Sequence, residues 1–381
     1  MHISYFKKLI SFESVTPNSA GAIEYIEKLL QESGFQTEIK IFGDSESEQV
    51  TNLYAVYGTN KPNICFVGHV DVVPAGDAAL WHASPFLAHI IDDKIYGRGA
   101  VDMKGSIACF LAASLDFIKS NPKLNGSISF LITSDEEGEA KYGTKEMLKH
   151  IYSQGHKIDF AIVGEPTNEE EIGDTIKIGR RGSVNFNLNI QGKEGHVAYP
   201  HKANNPLPCL IKILNELTNI KLDEGTEFFQ SSNLEMTNIN VGNNTSNVIP
   251  ASTEAHFNIR FNNLHSAKIL AQLVEEIIKR YCEKYKVDYK LEYSSSSDSF
   301  IQNPNNAIKE FADIVERTLK IKPEFSTSGG TSDARFVKDY CSVVEFGLLS
   351  EMAHKINECT KITDLQKLYD VYYNSLRKFL A

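Results

Sequence analysis

Short apolar runs that are followed, after one intervening residue, by a histidine or an acidic residue are the most constraining feature of this chain. Three of them are 62–67 before Gly68-His69-Val70-Asp71, Ser127–Thr133 before Ser134-Asp135-Glu136-Glu137, and 159–163 before Gly164-Glu165. Such runs are typical of strands buried on both faces of a parallel sheet. Ligands bind at the carboxyl ends of the strands in open α/β sheets. These side chains are therefore candidates for one common site.

Helical and extended patterns alternate through the first half of the chain. Segments 22–30 and 104–120 predict helices, whereas 35–42 and 52–57 predict strands that add to the apolar runs. A further apolar run, 341–346, is followed by His354 in the last part of the chain. Alternation of this kind predicts the α/β class, with a mostly parallel sheet flanked by helices.

The pattern changes near Ile176. Residues 175–190 predict a hairpin, and they precede helices at 206–217 and 266–285, strands near 235–241 and 253–261, and a linker at 294–297. This order favours an insertion into a discontinuous domain over three consecutive domains. We predict a catalytic domain over 1–178 and 295–381, interrupted by an inserted α+β two-layer lid and dimerisation domain over 179–294.

The composition argues against several classes of function. The formal net charge is −10 at pH 7 without a long basic run, so binding to nucleic acid or to an anionic membrane is not expected. No apolar stretch approaches the ~20 residues that cross a bilayer, and the first residues predict an amphipathic helix rather than a signal peptide. The six cysteines are scattered without a C-x-x-C pair, which favours reduced thiols and a cytoplasmic location.

Taken singly, each candidate also has an ordinary structural interpretation. His69 fits a hydrogen-bonded buried histidine, and Asp102, at the end of a glycine-dense turn, fits a helix N-cap. The acids at 135–137 fit a solvated loop, although three adjacent acids at the end of an apolar strand repel one another unless a cation is present. Because several strand ends present ligand-type residues, a metal site explains the pattern better than separate local causes.

Longer motifs around these residues resemble the two-zinc aminoacylase and exopeptidase family. The matching segments are 68–77, Trp81 with 84–86, 96–105, 134–138 and 164–167, in the family's order. The resemblance covers nearly the whole chain and implies hydrolysis of a linear amide bond. It also implies two zinc ions per subunit, for which cobalt or manganese are possible substitutes.

The resemblance assigns a role to each candidate in the catalytic domain. His69, Asp102 and Glu165 would bind one zinc ion. Asp102, Glu137 and His354 would bind the other, so that Asp102 bridges the pair. Glu136 would act as the general base and acid, and Asp71 would orient His69. The family pattern also implies a cis peptide bond between Asp102 and Met103.

The chemistry of this residue set agrees with the resemblance. Two zinc ions would face three carboxylates, so a hydroxide between them would balance the charge and a water there would ionise readily. Metal ions ~3.5–4 Å apart can both generate a nucleophile and polarise an amide carbonyl. Histidine and carboxylate ligands without thiolate suit zinc, cobalt or manganese.

In the inserted domain, 192–201 resembles the family segment whose histidine stabilises the tetrahedral oxyanion, which implicates His196. In relatives that dimerise through this domain, that histidine reaches the partner's active site, so we expect a homodimer. The match supplies further candidates for substrate binding: Arg181, Ser183, Tyr199, Asn247, Arg260, Gly329, Gly330 and Thr331. Each of two candidates also has an ordinary interpretation. Arg260 fits an exposed arginine on a strand, and His196 fits a surface histidine in a glycine-rich turn.

A finer resemblance, at 326–336, 247–250, 257–261 and 354–359, is to family members that cleave an N-succinyl group from L,L-diaminopimelate. That small-molecule substrate carries several carboxylates, which arginine side chains would bind. Deacetylation of acetylornithine or of another acyl amino acid stays open, as does a non-catalytic binding relative. Leu348, Leu349, Ser350 and Glu351 replace the family's usual turn before His354, so the shape of that loop stays open too.

Overall fold

The computed structural model describes residues 1–45 and 49–381. Within these residues the strands are β1 (Gln36–Phe42), β2 (Val50–Tyr57), β3 (Asn63–His69), β4 (His89–Ile91), β5 (Lys94–Tyr96), β6 (Ser127–Thr133), β7 (Phe160–Val163), β8 (Thr175–Lys177), β9 (Gly179–Arg180), β10 (Gly182–Gln191), β11 (Gly195–His196), β12 (Asn233–Asn240), β13 (Val248–Ile249), β14 (Ser252–Phe261), β15 (Asp288–Ser297), β16 (Phe300–Ile301), β17 (Glu324–Ser326), β18 (Ser342–Glu345) and β19 (Cys359–Lys361).

The helices in the same residues are α1 (His2–Ile10), α2 (Ala22–Glu32), α3 (Gly105–Ser120), α4 (Thr144–Ser153), α5 (Leu207–Asn219), α6 (Ala267–Tyr285), α7 (Asn306–Leu319), α8 (Ala334–Val337) and α9 (Ile362–Leu380). No helix in the described part of the chain combines the length and the apolar character that a bilayer crossing requires.

The chain divides into two compact units. The first comprises Met1–Ile178, Gln302–Ser326 and Ser332–Ala381, and the second comprises Gly179–Ile301 with Thr327–Thr331. The first boundary between them follows Ile178. The second lies at 301 rather than 294, because β15 continues to Ser297 and pairs with β10.

An eight-stranded sheet forms the centre of the first unit, in the order β1-β2-β6-β3-β7-β18-β8-β17. The neighbours β6, β3, β7 and β18 run parallel, whereas β1 and β2 add an antiparallel edge. Every residue of β3 and β6 is buried. These continuous apolar runs are what a central strand covered on both faces requires.

Aromatic side chains attach the long helices to this sheet. Phe66 on β3 stacks on Phe110 of α3 with ring centroids 4.7 Å apart. Tyr372 of α9 packs edge-on against Phe66 at 5.9 Å and against Phe110 at 5.4 Å. Its hydroxyl donates to the Phe346 carbonyl, just after β18, at 2.6 Å. These contacts fix the sheet whose edge carries the candidate site.

The second unit is a two-layer α+β structure. Its antiparallel sheet has the order β12-β14-β10-β15, and buried and outward-facing residues alternate along β10 and β14. Val184 and Phe257, on the buried face, belong to one apolar cluster with Ile213 of α5 and Val274 of α6. Alternating burial gives each strand one apolar face, and amphipathic helices cover that face, so the unit has two layers.

Two sequence expectations for this region are wrong. Residues 294–297 form the end of β15 rather than a linker, since their main chain pairs with β10. Residues 175–190 do not form a hairpin, because β8 pairs with β17 and β18 in the large sheet while β10 pairs with β14 and β15. Serine-rich polar sequence at an edge strand carries no apolar signal, which explains the first error.

Candidate metal centre

The parallel order of β6, β3, β7 and β18 brings the predicted residues of the first unit to one edge of the sheet. His69 is the last residue of β3, and Glu165 follows β7 by two positions. Glu136 and Glu137 follow β6, and His354 lies in the loop after β18. Because the strands are parallel, their carboxyl ends meet at the same edge.

Asp102 reaches this edge from a different element, the turn between β5 and α3. Gly99 adopts φ +80°, and a Cβ there would lie 2.6 Å from a Val72 side-chain carbon, so this position requires glycine. The peptide bond between Asp102 and Met103 is cis, as the family resemblance implies. Asp102 is 9% exposed.

The two carboxylate oxygens of Asp102 face different histidines. Its Oδ1 lies 3.2 Å from His69 Nε2, and its Oδ2 lies 3.2 Å from His354 Nε2. Glu165 Oε1 is 3.6 Å from His69 Nε2, and Glu137 Oε1 is 2.8 Å from His354 Nε2. The five side chains therefore form two groups that share Asp102.

The charges in this cluster perturb one another strongly. Burial acts to raise the pKa of Asp102, but hydrogen bonds from His354 and His69 and their charges outweigh it and hold that pKa well below its usual value. Hydrogen bonds to Asp102 and Glu137 raise the pKa of His354 to about 10. Burial, with the neighbouring carboxylates, raises the pKa of Glu136 well above its usual range despite the opposing charge of His69.

The donor set and its spacing fit a pair of divalent metal ions. Tetrahedral ligand bonds of about 2.0–2.2 Å separate neighbouring ligand atoms by roughly 3.3–3.6 Å, close to the 3.2 and 3.6 Å separations around His69. Ligand-type atoms of His69, Asp102 and Glu137 lie within 4.8 Å of one another, as do those of His69, Glu136 and Glu165. Three carboxylates shared between two imidazoles suit zinc, cobalt or manganese.

Asp71 contacts His69 differently from the expectation. The Nδ1 atom of His69 lies 2.9 Å from the main-chain oxygen of Asp71 and 3.6 Å from its carboxylate. That carboxylate instead accepts the main-chain N–H groups of Glu136 and Glu137, at 3.2 Å and 3.0 Å. Asp71 thus fixes His69 through its main chain and the Glu136–Glu137 segment through its side chain.

Asp135, the first of the three consecutive acids, serves the loop that follows. Its carboxylate accepts the N–H groups of Ala140, Lys141 and Tyr142 at 3.2, 2.9 and 3.0 Å. The sequence left two explanations for the triplet, a solvated loop and a bound cation. Main-chain hydrogen bonds stabilise one of the three negative charges, that of Asp135.

The unusual loop before His354 is held by Asn168. The Asn168 side chain donates to the Gly347 carbonyl at 2.6 Å, and its main chain bonds to Leu348 and Ser350. Leu348 is fully buried. The departure from the family's usual turn is therefore accommodated by a buried leucine and an asparagine clamp.

The predicted substrate-binding residues and His196 lie in the second unit, where they form separate groups. Ser183 pairs with Arg260 across β10 and β14, and Arg181 donates to Asn233 Oδ1 at 2.9 Å. Burial and the nearby positive charge of Arg260 lower the pKa of Arg181. Two adjacent guanidinium groups form a local positive site on an acidic chain.

His196 and Tyr199 lie with ring centroids 5.7 Å apart. The Asn247 carbonyl accepts the N–H of Val197 at 3.1 Å, which brings Asn247 to the same surface. Gly329 and Gly330 are exposed and Thr331 is half-buried in the 327–331 segment. Gly329 adopts φ +100°, a conformation that favours glycine.

The sequence patterns indicated no role for Arg98 and Glu358, although these residues lie inside the motifs at 96–105 and 354–359. In the structure they form a buried ion pair, with Arg98 Nη1 2.8 Å from Glu358 Oε2. A charged residue inside a glycine-dense turn was the available signal for Arg98. For Glu358 the signal was an acid placed directly before the strand at Cys359.

Comparisons with known proteins identify the family of the chain. The model of the peptidase family M20/M25/M40 matches residues 65–378. The chain belongs to this family. Among curated relatives, it is 81% identical to the succinyl-diaminopimelate desuccinylase of Rickettsia felis and 79% identical to that of Rickettsia massiliae, with 100% of both chains covered in each case.

Solved structures of M20 peptidases share the fold at low sequence identity. An M20 metallo-carboxypeptidase of Sulfolobus solfataricus matches with a TM-score of 0.79 and 18% identity, over 99% of both chains. A Bacillus subtilis protein described as a dinuclear metal binding peptidase of the M20 family matches with a TM-score of 0.70 and 15% identity, over 98% of this chain and 96% of that one.

Proposed function

We propose that this M20 peptidase homologue hydrolyses N-succinyl-L,L-diaminopimelate to succinate and L,L-diaminopimelate, a step toward lysine. The observation that carries the amide-hydrolase chemistry is the bridging position of Asp102, whose two oxygens face His69 and His354 at 3.2 Å each. The succinyl substrate is inferred from the curated relatives at 79–81% identity over the full chain.

Two divalent ions, which we propose to be zinc, would be held by His69, Asp102 and Glu165 on one side and by Asp102, Glu137 and His354 on the other. When bound, such a pair acidifies water and polarises the substrate carbonyl. The close approach of three carboxylates to two imidazoles supports this assignment, because carboxylates packed this tightly need positive charge near them.

Glu136 is the proposed general base and acid. Its neighbour Glu137 faces His354, whereas a carboxylate oxygen of Glu136 lies within 4.8 Å of ligand-type atoms of His69 and Glu165. Glu136 therefore does not take the place of Glu137 beside His354. Its main-chain N–H donates to the Asp71 carboxylate, which holds the residue in position. From this position its carboxylate would take a proton from the attacking water and return it to the leaving amine.

Arg181 and Arg260 are the proposed binding residues for substrate carboxylates, with Ser183, Tyr199, Asn247, Gly329, Gly330 and Thr331 as further candidates. Guanidinium groups bind carboxylates with paired hydrogen bonds, and this pair supplies positive charge on a chain of net charge −10. His196 is the proposed donor to the developing oxyanion. A single such donor typically contributes roughly 10²–10³-fold to turnover.

We further propose a homodimer through the second unit and a cytoplasmic location. The dimer rests on the family resemblance around His196, and sedimentation at working concentration tests it, since a fully active monomer would exclude it. The location rests on the scattered, unpaired cysteines of the sequence.

A steady-state assay of the metal-loaded protein tests the proposed substrate. N-succinyl-L,L-diaminopimelate and acetylornithine are offered side by side at equal concentration. A large preference in kcat/KM for the succinyl compound supports the proposal. Preference for acetylornithine would reject the substrate and leave amide hydrolysis standing, whereas fewer than one metal ion per chain after reconstitution would reject both.

A further inference from the structure

A buried ion pair lies beside the candidate metal centre without contributing a ligand to it. Arg98 is 3% exposed and Glu358 is fully buried. Removing two charges from water is costly, and the attraction between them compensates only when further hydrogen bonds satisfy both groups. The partners of these two side chains therefore indicate what the pair stabilises.

Glu358 accepts hydrogen bonds from the turn that ends in Asp102. Its Oε1 accepts the main-chain N–H of Val101 at 2.9 Å and that of Asp102 at 3.3 Å. Its Oε2 accepts the N–H of Gly99 at 3.0 Å, besides the Arg98 guanidinium. Both oxygens are thus occupied by donors of one turn, the turn that delivers the shared ligand.

Arg98 connects that turn to two other segments. Its Nη1 donates to the Lys355 carbonyl at 3.2 Å, and its Nη2 donates to the carbonyls of His354 at 3.4 Å and Pro74 at 3.3 Å. The guanidinium carbon also lies 5.3 Å from the centroid of the Trp81 ring. One planar side chain thereby joins the His354 loop to the segment that follows Asp71.

We propose that Glu358, acting with Arg98, is a positioning residue that fixes the spacing between Asp102 and His354. This inference rests on the proposed metal centre and deepens it. Asp102 and His354 come from segments about 250 positions apart in sequence, and Glu358 with Arg98 links both directly. Loss of the pair would leave every metal ligand present but would relax the distance between them.

The group of Asp102, Glu137 and His354 depends on the Arg98–Glu358 pair more strongly than the group that contains His69 does. His354 lies in a loop with its side chain half exposed, whereas His69 ends a buried strand and is 1% exposed. The first group therefore lacks the support that β3 gives to His69. Weakened metal binding is expected there first.

The test compares Glu358→Gln and Arg98→Lys with the parent protein. Glutamine keeps the size of the side chain but places an NH2 group against main-chain N–H donors. Lysine keeps the charge of Arg98, but its single ammonium group lacks the planar set of donors that reaches several separate carbonyls. Asp223→Asn is the matched control, because Asp223 is a buried carboxylate of the second unit that accepts the N–H groups of Gly225 and Ser232.

Metal affinity is measured by titration of the metal-free proteins with zinc against a chromophoric chelator. The ligand-field spectrum of the cobalt-loaded proteins and the separate values of kcat and KM complete the comparison. Loss of a residue that holds a metal ligand typically weakens metal binding roughly 10–100-fold. In both variants we expect the affinity for the second metal ion to fall by this factor. We also expect the cobalt spectrum to change and kcat to fall at nearly constant KM.

The proposal is overturned if both variants bind two metal ions with parental affinity and spectrum and merely unfold at lower temperature, the behaviour expected of Asp223→Asn. If Glu358→Gln does not fold, Arg98→Lys decides the question by the same readouts. The metal titration and the cobalt spectrum need no substrate. Failure of the positioning role is therefore distinguishable from a wrong substrate, which would leave both readouts unchanged.

Discussion

Asp71 holds Glu137 through the main chain, since its Oδ2 atom accepts the Glu137 N–H at 3.0 Å. The same carboxylate accepts the Glu136 N–H at 3.2 Å, and its own main-chain oxygen lies 2.9 Å from His69 Nδ1. One residue thereby connects the end of β3 to the segment after β6. The proposed base and two proposed ligands share this support.

Asp71→Asn should lower kcat roughly 10–100-fold, a range typical of residues that orient metal ligands. The amide keeps the size of the side chain but directs an NH2 group at N–H donors or at His69. The measurement is kcat with metal content per chain, and Asp77→Asn, on the exposed part of the same segment, is the control. Parental kcat in Asp71→Asn would show that the Glu136–Glu137 segment does not need this carboxylate.

Glu136→Ala should retain both metal ions and lose turnover roughly 10²–10⁴-fold, because it removes the proton carrier but no proposed ligand. Metal analysis and a steady-state assay check the two halves of this expectation. Glu139→Ala, three positions further along the loop and exposed, should leave both unchanged. Substantial activity in Glu136→Ala would place the base elsewhere.

His354→Ala should reduce the metal content from two ions to one per chain. The His354 side chain contacts Asp102 and Glu137, whereas the His69 side chain contacts Asp102 and Glu165. Metal analysis after reconstitution and gel filtration gives the stoichiometry. His89→Ala, on the exposed strand β4, is the control, and two tightly bound ions in His354→Ala would contradict the assignment.

Arg260→Met should raise KM for a substrate with several carboxylates about ten-fold or more while changing kcat less, because a hydrogen bond to a charged group contributes ~1.5–3 kcal/mol. Steady-state kinetics with the succinyl compound measures the split. Arg280→Met removes a more exposed arginine from α6 of the same unit and should leave KM unchanged. An equal KM in both variants would remove Arg260 from the substrate site.

Asp223 gives a pH-dependent prediction for the stability of the second unit. Burial acts to raise its pKa, but hydrogen bonds from Ser232, Gly225 and Asn262 outweigh burial and hold the pKa below the usual 3.8. A carboxylate with a lowered folded-state pKa stabilises the protein above its unfolded-state pKa, and this contribution is lost as the pH falls through the folded-state pKa.

Asp223→Asn should therefore unfold at a lower temperature than the parent at pH 7, and the difference should shrink as the pH falls below 3.8. Thermal unfolding followed by circular dichroism across this range measures it. A constant difference at every pH would mean that the charge of Asp223 contributes nothing and that only its shape matters.

The sequence determined the fold class because the central strands β3, β6 and β7 are short, mostly apolar runs. That pattern specifies burial on both faces without reference to any distant residue, and it placed His69 and Glu165 at strand ends. It failed at 294–297, where polar serines form the end of β15. Pairing with β10, rather than any local preference, makes that segment a strand.

Tertiary structure alone decided how the ligand-bearing segments are held together. Asp71, Arg98 and Glu358 all lie inside the sequence motifs. Their hydrogen bonds, however, join distant segments, and the one that the Val101 N–H donates to Glu358 spans 257 positions. Periodicity and local propensity report only neighbours within a few residues, so they identify which side chains end a strand. Which main-chain groups those side chains bind depends on the sheet order that brings the segments together.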